Sequence, residues 1–158
     1  MKTITPMTNL QKDIILDGLL TKRKAPLSEG ALRQTLQDLT ACIARNGVFY
    51  AAVFPKKEVL GKAEFTAADV DKADIMQADD NELYFPVFSD YERLRKFRPE
   101  PKENEVFCLV TKEDLLSFLQ LNGKIAACVL NPMEDDLLMH RVLLQNLIQA
   151  GKDLNSTY

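Results

Sequence analysis

Three short, unbroken apolar runs constrain this chain more than any other feature: Val48 to Phe54 (VFYAAVF), Val106 to Val110 (VFCLV) and Ile125 to Leu130 (IAACVL). They are rich in β-branched and aromatic side chains and show no polar alternation, so each reads as a strand covered on both faces. Strands of that kind need helices packed against them. The segment before the first run supplies one. Leu32, Leu36, Leu39 and Ile43 recur at i, i+4, i+7 and i+11 between a Ser28 cap and an Asn46-Gly47 stop, which predicts an amphipathic helix with those four residues as its stripe. An earlier helix over residues 8 to 20 is expected from Leu10, Ile14, Ile15, Leu19 and Leu20, with Thr8 as its cap.

Further along, Ala73 to Ala78 and Glu82 to Phe88 flank Asp79-Asp80-Asn81, a turn-forming triplet that predicts a β-hairpin. Pro86 lacks an N–H, which places it at an edge or a bulge. Ser89 and Glu92 have the spacing of a capping box for a helix ending at Phe97, whose inward stripe would be Tyr91, Leu94 and Phe97. Thr111 and Asp114 open another helix that Asn122-Gly123 closes. Leu137 to His140 reads as a short strand, and Val142 to Ala150 as a last helix stopped by Gly151. The expected fold is therefore mixed α/β (α+β): a single domain over residues 1–158, with one central mixed sheet flanked by helices and a helical pair at the N-terminus.

At 158 residues the chain can bury a continuous core without disulfides or metal. Its net charge of −3 provides no positive field for a polyphosphate backbone, so nucleic acid is not an expected partner. Lys22-Arg23-Lys24 reads as a solvated helix end. Cys42, Cys108 and Cys128 lie inside apolar runs without metal-ligand spacing and read as core thiols of a reducing compartment. The first residues carry only short apolar pieces broken by charges, so neither a leader nor a membrane span is expected. Together these features predict a cytoplasmic location.

No catalytic constellation emerges from the residues. His140 has no nucleophile nearby and reads as a surface or capping histidine. Cys108 and Cys128 sit in apolar strands that suppress the thiolate. Asp69, Asp71, Asp74, Asp79 and Asp80 lack the order of a calcium loop and read as a solvated acidic loop. The six glycines are isolated, so no phosphate cradle is formed. The expectation is a chain that is not an enzyme and binds no cofactor or metal, unless side chains scattered in sequence assemble a site in space.

Two blocks resemble a known family. Glu82 to Leu94 (ELYFPVFSDYERL) is similar to the aromatic-Pro-Val-Phe-Ser block of SseB N-terminal domains, and Val129-Leu130-Asn131-Pro132 followed by Leu137-Leu138 is similar to their second block. The resemblance runs over roughly residues 73 to 150 and implies a bacterial cytoplasmic protein, of a family named for enhanced serine sensitivity, rather than an established enzyme. Met133 and Glu134-Asp135-Asp136 depart from the pattern, so no family ligand is carried over to this turn. The second domain of longer members is not expected here. What the resemblance and the residues together suggest is an interaction or regulatory module that binds protein, its surface formed by Tyr84, Phe88, Asp90, Arg93, Arg95, Asn131 and Pro132. A small-molecule sensing domain, taking up an amino acid, is the alternative. Self-association through a sheet edge is left open.

Overall fold

The apolar runs do form strands, but they are divided between two sheets. The computed structural model describes residues 3–6, 14–62 and 64–156. Helices form at Ile14–Arg23 (α1), Glu29–Asn46 (α2), Tyr91–Phe97 (α3), Lys112–Leu121 (α4) and Arg141–Ser156 (α5). Strands run over Thr3–Pro6 (β1), Val48–Pro55 (β2), Phe65–Thr66 (β3), Val70–Lys72 (β4), Met76–Gln77 (β5), Leu83–Val87 (β6), Val106–Thr111 (β7), Ile125–Leu130 (β8) and Leu137–His140 (β9). The fold is mixed α/β with an N-terminal helical pair, as the patterns predict.

The single central sheet is the first correction. One sheet has the order β3-β1-β7-β2-β4, with every pair antiparallel, and the other has the order β5-β6-β8-β9. In the second, β6 and β8 are parallel while β5 and β9 flank them antiparallel. The two sheets join at one point, where Tyr50 and Phe88 exchange backbone hydrogen bonds of 2.8 Å in both directions. Local alternation of helix and strand cannot report this division, because β6 and β8 pair across an excursion through β7 that belongs to the other sheet.

One buried cluster takes Leu39 and Ile43 from α2, Phe49 and Ala51 from β2, Phe85 and Val87 from β6, Leu130 from β8 and Leu144 and Leu147 from α5. In α2 the predicted stripe is rotated, because Leu32 and Leu36 are exposed whereas Thr35, Leu39 and Ile43 are buried. Thr35 tolerates burial because its hydroxyl donates to the Ala31 carbonyl at 2.8 Å. The first helix also differs from expectation: it starts at Ile14 within the described residues, Ile14 and Ile15 face solvent, and Leu16 and Leu20 are the buried pair. The Thr8 cap lies outside the described residues.

Gly151 does not stop the last helix, which continues to Ser156. A Cβ at that position would stand 2.5 Å from the Ala44 carbonyl oxygen, so the glycine serves the close crossing of α5 over α2. The capping box of α3 is likewise corrected. Asp90, not Ser89, is the N-cap, and its carboxylate accepts from the Arg93 backbone N–H at 2.8 Å. By contrast, Thr111 and Asp114 form the expected reciprocal box at the start of α4. Pro86 lies in an internal strand, yet β5 pairs only with Leu83 and Tyr84, so β6 has a locally free edge where the proline sits.

Candidate functional site

The parallel pair β6 and β8 ends in two segments that carry the site. After β6 the chain passes through Phe88 and Ser89 into α3; after β8 it enters the turn Asn131 to Asp136. Asn131 ties the two ends together. Its Oδ1 accepts from the Ser89 backbone N–H at 2.9 Å, and its Nδ2 donates to Ser89 Oγ at 2.9 Å and to Asp135 Oδ2 at 2.7 Å. Its carbonyl also accepts from the N–H groups of Glu134, Asp135 and Asp136, which closes the turn. An asparagine suits the position because its φ is +51°, in the left-handed region that this residue type tolerates. Met133 at +68° and Asp136 at +47° share that region, so three of the five non-glycine residues with positive φ among the described residues lie in this one turn.

Arg93 is a second tie. Its guanidinium meets the carboxylates of Asp90, Glu134 and, at 2.9 Å, Asp17, so one side chain joins α1, α3 and the turn. Burial pushes its pKa down, but the carboxylates, Glu134 foremost, outweigh this and hold it above the ordinary arginine value. From the end of α1, Lys24 reaches Asp135 at 2.8 Å and Arg23 donates to the Asp135 carbonyl. The basic triplet is therefore not simply a solvated helix end. Burial raises the Asp135 carboxyl, yet the hydrogen bonds from Lys24 and Asn131 prevail and hold it below the usual carboxylate range.

These ties leave a groove. A cavity of about 250 Å³ opens at the carboxyl ends of β6 and β8, between Phe88, Phe97, Pro132 and Met133, with Arg93 and Lys96 at its margin. A neighbouring cavity of about 270 Å³ lies on the outer face of the β5-β6-β8-β9 sheet, against Tyr84, Val129 and Leu138. Met76 and Pro132 line both, so the two lobes adjoin. Among the described residues, none from a helix lines the second lobe. Met133 is 87% exposed and Leu138 44%, and Phe97, expected to face inward, is 37% exposed while its ring contacts Phe88 at 5.2 Å between centroids.

Of the residues singled out from the sequence, Phe88, Arg93, Asn131 and Pro132 converge on the first lobe, and Tyr84 lines the second, donating its hydroxyl to Asp80 at 2.9 Å. Asp90 stands behind the groove as the cap that holds Arg93, and Arg95 stands apart, its guanidinium over the Tyr91 ring. Sequence reasoning did not single out Met76, and it read Phe97 as part of an inward stripe and Leu138 only as part of a short strand. The alternation of Leu137, Leu138 and Met139 on a short strand is the signal that would have exposed Leu138, since successive side chains take opposite faces.

The remaining chemistry-bearing groups are placed elsewhere. His140 accepts from the Leu143 N–H at 3.2 Å and so caps the last helix, as expected of it. Cys108 and Cys128 are buried and unpaired, and desolvation pushes both thiols far above their ordinary pKa. The acidic loop is not merely solvated: Asp69 accepts from the Thr66 N–H at 2.9 Å, and Asp74 pairs with Arg98 and with Lys102. Among the described residues no group of three or more His, Cys, Asp or Glu side chains could hold a metal ion, and no helix is long and apolar enough to cross a membrane.

An α/β domain with an open apolar groove at the carboxyl ends of its parallel strands is thus the class that the structure defines. Comparison with known families makes this specific: residues 27–144 match the SseB protein N-terminal domain, and the chain belongs to that family. The match begins well before residue 73, so α2 and β2 are part of the shared domain as well. No curated protein and no solved structure matches the chain.

Proposed function

We propose that this chain is a non-enzymatic protein-interaction module whose contact surface is the two-lobed groove. The observation that carries the proposal is the exposed Leu138 on the outer sheet face, beside the turn that bears the exposed Met133. An exposed, flexible methionine held at φ +68° gains little from the chain's own packing, and backbone strain of this kind clusters at functional sites. Hot spots of protein interfaces also favour aromatic anchors beside a central pocket, as Phe88, Phe97 and Tyr84 stand here. The buried thiols Cys108 and Cys128, which form no disulfide, support a cytoplasmic setting for this role.

The test is capture from a lysate of the native host by the wild-type chain and by Leu138→Glu, with Leu36→Glu on the opposite, α2 surface as control. A partner retained by wild type and by the control but lost from Leu138→Glu supports the reading; a partner held equally by all three removes it. Small-molecule sensing has one observation in its favour, because crevices at the carboxyl ends of parallel strands are frequent ligand sites. A thermal-shift screen with free amino acids checks this, since saturating ligand at about a hundred times its Kd adds about 2.7 kcal/mol and a visible rise in Tm.

A further inference from the structure

We propose that the occupant of the groove is a peptide segment of a partner protein with two neighbouring apolar anchors, an acidic group beside the one seated near Lys96 and a basic group beside the one seated near Tyr84. This rests on the interaction reading above and adds the orientation and chemistry of the partner. Two lobes that share Met76 and Pro132 ask for two apolar side chains on one continuous segment.

The orientation follows from which charges the groove leaves unspent. At the first lobe Arg93 is already met by three carboxylates, whereas Lys96 is exposed and pairs with no carboxylate among the described residues. At the second lobe the imbalance has the opposite sign. Asp136 lines the lobe, and Asp80 and Glu82 stand close enough to Tyr84 to raise its phenol pKa, the Asp80 hydrogen bond foremost. None of these three carboxylates meets a cation among the described residues. The groove is thus positive at one end and negative at the other. A free amino acid carries its α-ammonium and α-carboxylate on one carbon and does not separate the two charges between two lobes, and a second copy meeting the groove with its own groove would set concave lobe against concave lobe. Because Lys96 and the carboxylates are exposed, they orient and select the segment while the apolar anchors hold it.

The experiment is selection from a random peptide display library on the immobilised full chain, in wild-type, Leu138→Glu and Lys96→Glu forms, with self-association followed by light scattering. Both substituted side chains are exposed, so the variants are expected to fold. Enriched sequences should share two apolar residues with an acidic residue on one side and a basic one on the other. A selected peptide should bind Leu138→Glu at least about tenfold more weakly, and selection on Lys96→Glu should exchange the acidic residue for a basic one. If peptides are enriched and lost on Leu138→Glu, but show no charge order or an order unchanged by Lys96→Glu, the orientation is wrong and the groove stands. If no peptide is enriched, or Leu138→Glu binds them undiminished, the groove reading fails with it. A wild-type dimer abolished by Leu138→Glu would give the groove to a second copy and overturn the proposal.

Discussion

The two faces of the β5-β6-β8-β9 sheet are drawn from the same four strands and do opposite work. On the inner face Phe85, Val87, Cys128, Leu130 and Met139 are buried in the main cluster beneath α4 and α5. On the outer face Tyr84, Val129 and Leu138 alternate with them, yet among the described residues none from a helix lines the lobe they form. The inner face shows what a strand contributes when a second layer covers it. On its counterpart Val129 is buried and Tyr84 half-buried, while Leu138 is left exposed at the surface, which is what a contact surface requires.

The largest expected effect separates the faces directly. Leu130→Ala, at a site with no exposure, should cost about 2–5 kcal/mol in urea unfolding because it removes transfer free energy and leaves a cavity. Leu138→Ala should change stability by about 0.5 kcal/mol or less, as exposed positions do. Equal losses would mean that the outer face is as structural as the inner one.

The next effect tests the joint between β6 and β8. Asn131→Ala strands the Ser89 N–H and also puts alanine, which tolerates the left-handed region less well than asparagine, at positive φ, so a loss of about 2–3 kcal/mol is expected. Asn131→Gly removes the same hydrogen bonds while accommodating the dihedral, and should recover about 1 kcal/mol of that loss. Indistinguishable losses from the two variants would mean that the hydrogen bonds alone matter.

Much of this architecture was legible in the residues, and the places where it was not share a cause. The runs at β2, β7 and β8 are apolar enough to define strands by themselves, and Thr111 with Asp114 specifies a cap locally. The family blocks also led to Phe88, Asn131 and Pro132, which do meet at the groove. What failed depended on the third dimension. Ser89 has the spacing of a cap but is engaged by Asn131, 42 positions away. Arg93, read as a surface contact, is occupied by carboxylates from α1 and the turn. Leu32 and Leu36 fit the helical period, yet the rotation of α2 against α5 is set by Gly151 and Ala44. Nothing in the period of one helix reports where its neighbour crosses.

A smaller effect concerns acid. Hydrogen bonds from Lys24 and Asn131 hold Asp135 below the usual carboxylate range against the effect of burial, and the bond from Lys102, with Arg98, does the same for Asp74. Groups depressed in this way stabilise the fold fully above their unfolded pKa, near about 4, and lose that contribution as pH falls through the lower folded values. Unfolding followed from neutral pH downward should therefore show a loss of stability beginning near the unfolded value. Lys24→Ala should reduce that loss on the turn side; an unchanged acid profile would mean that Lys24 does not hold Asp135.

A change in stability of opposite sign is expected at Met133. Met133→Asn replaces an exposed side chain with one suited to φ +68°, and should leave the fold unchanged or raise its stability by up to about 1 kcal/mol. Its effect on partner capture should be disproportionately large. A variant that lost stability instead would place Met133 with the inner-face residues.

The central claim is that the outer sheet face, and not another apolar surface, is where this chain is met. The competing surface lies between α2 and α5, around Leu36 and Ala150. A photo-crosslinking amino acid placed at position 138 or at position 36, activated in cells of the native host, compares the two directly. The account predicts discrete protein adducts from position 138 and none from position 36; adducts from position 36 alone, or none from either, would contradict it.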